Sequence, residues 1–187
     1  MSFIRAHQLS VMLFLSGSLG IQMIMTLLPK FMSYKRRSIL ALMEFASMML
    51  LIFDRLSYIY RGDASVYGGF IVRLSNGMVY FLMLLIPLLV TRFMRDLYLN
   101  EGKLEKPPRC LMISEVLFAV GTLLTIISQF NGLYYTFDDQ NRYVRAPGHI
   151  ISYIVPFLVV ILQESVIIQN RGRLDPLYED SSDSSAE

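Results

Sequence analysis

Glu44, Glu115 and Glu164 each stand inside a long apolar run. Carboxylates in such surroundings are candidate proton or cation sites. Each lies within about two helical turns of one end of its run, so an interfacial role competes with a shared ion site. The expectation is that they diverge. Glu44 and Glu115 would sit near helix N-termini, where the helix dipole favours an anion, and Glu164 would reach toward Arg171 or a loop lysine. The two histidines, His7 and His149, are far apart with no second ligand at metal-like spacing, and read as exposed or interfacial. Cys110 is the single cysteine, which excludes an internal disulfide and reads as a small packing residue. No Ser-His-Asp signature, Gly-rich phosphate loop or pair of catalytic carboxylates occurs in a soluble segment. No catalytic, metal-binding or cofactor-binding residue is therefore expected, and no enzyme activity.

The elements that carry these residues are five charge-poor runs at residues 9–28, 38–53, 74–91, 111–129 and 150–169. A helix crosses a hydrocarbon core of about 30 Å in roughly 20 residues. The first and last runs have that length, and the second and fourth reach it with a few flanking residues. Hydrophobic residues make up 54% of the chain and charged residues 17%, against about a quarter in soluble domains. Mean hydropathy is +0.48. The fold class expected is an all-α integral membrane protein: a bundle of five transmembrane helices with a short extracytoplasmic β-hairpin loop.

Basic residues set the orientation. Eleven Lys and Arg fall in the first and third loops and after the last run, and six fall on the other side. The richer side is expected to be cytoplasmic, with the N-terminus outside, in a multi-pass protein of the cell membrane. The first run is read as an uncleaved span. Ser16 and Gly20 within it form a small-xxx-small pair that lets a neighbouring helix approach. The net charge of +2, spread over membrane-flanking loops, implies no nucleic-acid partner. Pro87 and Pro156 each remove a backbone donor inside a run and predict a kink.

The fourth loop reads as strand, polar turn, strand. Tyr134-Tyr135-Thr136-Phe137 and Arg142-Tyr143-Val144-Arg145 flank Asp138-Asp139-Gln140-Asn141, the hairpin pattern. A two-stranded hairpin is marginal alone in water, so it should lie on the helix ends or the membrane surface. Tyr134, Tyr135, Phe137, Tyr143 and Arg145 are the candidate sensing loop. Arg61-Gly62-Asp63 in the second loop reads as a turn.

Asn131-Gly132-Leu133-Tyr134-Tyr135, then Asp138-Asp139-Gln140-Asn141-Arg142-Tyr143, then Pro147-Gly148 and a span ending in Asn170-Arg171-Gly172-Arg173 carry a resemblance, together with Phe53-Asp54-Arg55, Tyr60-Arg61-Gly62-Asp63, Arg73 and Asn76. Over about residues 5–173 the chain resembles the multi-span membrane sensor regions that precede GGDEF, EAL or histidine-kinase output domains in bacterial signalling proteins. Such regions usually have more spans and feed a cytoplasmic catalytic domain. Here family-like sequence gives way after Arg173 to an acidic, Ser-rich segment, expected to be a disordered tail at 174–187. A truncated or split gene product, or a stand-alone membrane subunit, would have that form.

The functional expectation is a non-catalytic, membrane-embedded sensor region at 1–173 that relays a signal through its last span. Its expected partners are the lipid bilayer and either a second copy of the chain or a separately encoded signalling output protein. The alternatives are a small transporter or permease subunit, in which the three Glu bind a coupling ion, and a truncated fragment without function. A transporter should place its polar groups near mid-bilayer.

Overall fold

The computed structural model of the chain describes residues 3–30 and 32–171. The expected tail at 174–187, and Arg173 at the exit of the last run, lie outside the described residues. Five α-helices follow one another: α1 (Phe3–Leu27), α2 (Tyr34–Ile59), α3 (Val66–Asn100), α4 (Arg109–Asn131) and α5 (Ile151–Gln169). Between α4 and α5 stand β1 (Tyr135–Phe137), β2 (Tyr143–Arg145) and a 3-10 turn at Pro147–Ile150.

Local chemistry explains the boundaries. Ser33 and Ser65 cap α2 and α3, their hydroxyls accepting from the amides of Arg36 at 3.4 Å and Gly68 at 3.0 Å. Pro108 precedes α4, and Gly132 ends it in the left-handed region at φ 67°. Pro147 opens the 3-10 turn that leads into α5.

Helix α3 is the centre of the bundle and packs against α2, α4 and α5, while α1 packs chiefly on α2. Ala46 of α2 meets Leu82 and Leu89 of α3 in one core, lined by Ile39, Met43 and Phe53. At the end away from the hairpin, Met94 and Tyr98 of α3 meet Leu111 of α4 and Val166 of α5. Ser16 of α1 is buried, and a Cβ on Gly20 would come within 3.3 Å of Met48 Sδ, so this face of α1 lies against α2.

Four of these helices are long and apolar enough to cross a membrane: His7–Leu27, Val66–Asn100, Arg109–Asn131 and Pro147–Gln169. Their outward faces carry large apolar side chains such as Phe14, Phe130, Phe157 and Ile168, which a lipid phase would cover. The fold is thus all-α and membrane-like, with four such spans among the described residues rather than the expected five. Helix α2 falls short because Lys35-Arg36-Arg37, Glu44 and Asp54-Arg55 interrupt its apolar run.

Helix α3 also departs from expectation. At 35 residues it is about 52 Å long, and its last turns occupy residues 92–100, which the charge pattern assigns to a loop. Phe93, Met94, Leu97 and Tyr98 recur there at helical spacing, and burial of Met94 and Tyr98 outweighs the exposed Arg92 and Arg95.

The hairpin forms where its pattern places it. β1 and β2 pair antiparallel with Tyr135 opposite Arg145, Thr136 opposite Val144 and Phe137 opposite Tyr143. Asp138 stabilises the turn by accepting from the amides of Gln140 and Arg142, at 2.9 and 2.8 Å.

Candidate functional site

The hairpin lies on the end of the bundle because its aromatic side chains are stacked into the helices. Tyr80, midway along α3, is the anchor. Its ring stacks on Tyr135 at 5.2 Å with a 7° interplanar angle, and Tyr135 stacks in turn on Tyr143 at 5.4 Å. Tyr134 packs against Tyr80 at 5.6 Å and is almost wholly buried, as is Tyr135. Phe137 meets the ring edges of Tyr135 and Tyr143 and carries the Arg73 guanidinium 5.6 Å from its centroid.

Polar groups lock the stack. The Tyr80 hydroxyl lies 2.6 Å from the Tyr143 hydroxyl and 2.9 Å from His149 Nδ1, and Tyr143 is 3.3 Å from the same nitrogen. The Tyr135 hydroxyl donates to Gln129 Oε1 of α4 at 2.7 Å. Burial pushes the phenols of Tyr135 and Tyr143 above their ordinary range, so both remain neutral hydrogen-bonding groups. His149, two residues before α5, thus ties the start of that helix to α3 and to the hairpin. Its Nε2 is sealed from solvent and has no hydrogen-bond partner among the described residues.

A second tie joins the hairpin tip to the loop after α2. Gly62, at φ +84°, makes the turn in Arg61-Gly62-Asp63. The Asn141 amide donates to the Asp63 carbonyl at 2.9 Å. A Cβ on Gly69 would come within 2.9 Å of the Asn141 side chain, so a larger residue there would displace that side chain from its present place. The Asp63 carboxylate accepts from the Ser65 amide at 2.9 Å, which holds its carboxyl below the usual range.

Beside the Tyr80, Tyr143 and His149 contact lies a polar, partly open cavity of about 450 Å³. Asp54, Ser57 and Arg61 come from α2 and the loop after it, Asn76 and Tyr80 from α3, and Arg145 and His149 from the hairpin and the approach to α5. Asn76 donates to Ser57 at 2.9 Å, an interhelical hydrogen bond that fixes this wall. The volume falls within the range of about 300–1,000 Å³ typical of small-molecule sites.

Farther along the bundle, α5 is tied to α3 again. Gln163 donates to the Pro87 carbonyl at 2.7 Å and to the Thr91 hydroxyl at 2.9 Å. The end of the bundle opposite the hairpin carries an ion-pair network. Buried Asp96 accepts from Lys35 at 2.6 Å and from Arg36 Nε at 2.8 Å, and Arg36 also pairs with Glu101.

Glu44, Glu115 and Glu164 have separate surroundings. Glu44 lies ten residues into α2, not near its N-terminus, and accepts from Thr26 of α1 at 2.8 Å. Glu115 pairs with Arg95 of α3 at 3.2 Å. Glu164 is exposed on α5 and has no ion pair or hydrogen bond among the described residues. No group of three His, Cys, Asp or Glu side chains among the described residues could hold a metal ion. Of the candidate sensing loop, Tyr134, Tyr135, Phe137 and Tyr143 gather around Tyr80, and Tyr143 and Arg145 line the cavity. His149 is buried, contrary to its exposed or interfacial reading.

Nothing in the sequence singles out Tyr80, Asp54 stands there only within the resemblance, and His149 reads there as exposed or interfacial. Tyr80 is one tyrosine in an apolar run, and its partners are 54 to 69 residues away in sequence. The discernible signal was that Asp54, Arg61 and Asn76, scattered along the chain, all stand near span ends on one side of the bundle. Comparison with protein-family models, curated proteins and solved structures finds no match.

Proposed function

We propose that the chain is a membrane-embedded sensor region, of the kind that serves bacterial signalling proteins, and that the polar cavity under the hairpin is where it perceives a small ligand. The observation that carries this reading is the contact of Tyr80, Tyr143 and His149. It makes one hydrogen-bonded unit of the cavity wall, the hairpin and the start of α5. A ligand that shifts the hairpin changes the restraint on α5, and Gln163 holds α5 against the Pro87 carbonyl farther down. The signal leaves by the far end of α5, toward a second copy of the chain or a separately encoded output protein.

In this reading α2 is a fifth span. Lys35 and Arg36 of its basic first turn pair with Asp96 and Glu101, its Glu44 is hydrogen-bonded to α1, and Asp54 lines the polar cavity. The Lys and Arg distribution then puts the hairpin outside and the Asp96 end in the cytoplasm of a cell-membrane protein.

Reporter fusions test the geometry on which perception from outside depends. Fusions at Asp63 and Gln140 should report outside, and those at Ser33 and Glu105 cytoplasmic. A cytoplasmic Gln140 would overturn the reading.

A further inference from the structure

Resting on the sensor reading of the hairpin cavity, we propose that its ligand is a small zwitterion of the amino-acid type, its ammonium held at Asp54 and its carboxylate at Arg61 and Arg145. The three charged residues share one cavity wall system, yet none is ion-paired to another. Asp54 has no hydrogen bond or ion pair among the described residues, although it is partly buried. The opposite end of the bundle behaves differently. There Asp96, Glu101 and Glu115 each meet a Lys or Arg across a helix interface. Asp54 differs from these three carboxylates in having no such partner among the described residues.

The signs decide the ligand class. A simple anion would satisfy the two arginines and be repelled by Asp54. A simple cation would satisfy Asp54 and face two arginines. A molecule bearing both charges a few ångströms apart satisfies all three, and the guanidinium groups can grip a carboxylate through two parallel hydrogen bonds. Tyr58, Tyr80, Tyr143 and Tyr153 also line the space, and aromatic rings are compatible with an ammonium group in it. The Ser57 hydroxyl, which accepts from Asn76, keeps its own proton for a ligand oxygen.

Binding is read on the full chain in lipid nanodiscs by isothermal titration calorimetry with three probes. These are an equimolar pool of the twenty L-amino acids, the same pool N-acetylated, and the same pool as methyl esters. Saturable binding is expected with the free pool, and at least tenfold weaker binding with each blocked pool. Asp54→Asn should cut affinity for the free pool at least tenfold, and so should Arg145→Gln, with circular dichroism verifying that each variant keeps its helical content. Equal binding of the acetylated pool would make the cavity an anion site, equal binding of the esters a cation site, and no binding of any pool would also overturn the zwitterion. If Gln140 still reports outside in those cases, the sensor reading stands and only the ligand class falls. A cytoplasmic Gln140 removes the sensor reading whatever the pools do.

Discussion

Tyr80 does two jobs with one side chain: its ring carries the hairpin stack, and its hydroxyl sits between Tyr143 and His149. Tyr80→Phe separates them. The ring remains, but His149 Nδ1 is left with Tyr143 alone at 3.3 Å, at the long limit of a hydrogen bond. Losing a buried partner of this kind costs about 1–3 kcal/mol. The variant should therefore unfold at a lower temperature in detergent and exchange its amides faster across residues 143–145. Unchanged exchange there would mean that stacking alone seats the hairpin. The sequence makes the aromatic density of the hairpin plain, because Tyr134, Tyr135, Phe137 and Tyr143 are neighbours in the chain. It conceals His149, since a lone histidine after Pro147-Gly148 has the same local pattern whether it faces water or Tyr80.

Among the elements, the hairpin is legible because a β-hairpin is a local structure, with turn formers set between aromatic and β-branched residues. The far third of α3 is not. Arg92, Arg95 and Asp96 read as loop by charge, whereas in space Asp96 points into the bundle and is neutralised by Lys35 and Arg36, sixty residues earlier. Helix type follows local periodicity, but the length of α3 depends on partners that composition cannot pair. Asp96→Asn should accordingly loosen the join between the start of α2 and the end of α3. Hydrogen bonds to charged groups contribute about 1.5–3 kcal/mol each, and because Lys35 is largely exposed, solvent screens its pair and the loss lies near the lower figure, carried by the sheltered Arg36. Faster amide exchange at residues 36–40, with residues 143–145 unchanged, is the expected outcome. A uniform rise over the whole chain would instead mean that Asp96 holds the entire bundle.

At the scale of the whole molecule, the apolar runs foretell a helical membrane protein, and the described residues have a membrane-like form, with four helices long and apolar enough to cross and the more polar α2 packed on α3. What the runs cannot foretell is which polar groups meet at the two ends of the bundle: those of the cavity beside the hairpin at one, and an ion-pair network beside a second cavity at the other. In the proposed relay, α5 connects these ends. The relay's most direct test uses paired spin labels at Arg92→Cys and Ile168→Cys, in a Cys110→Ser background, read by electron paramagnetic resonance in nanodiscs. Tyr143→Phe, which cuts the hairpin tie at the start of α5, should change the label-to-label distance distribution at the other end. Superimposable distributions with and without the Tyr143 hydroxyl would contradict the relay.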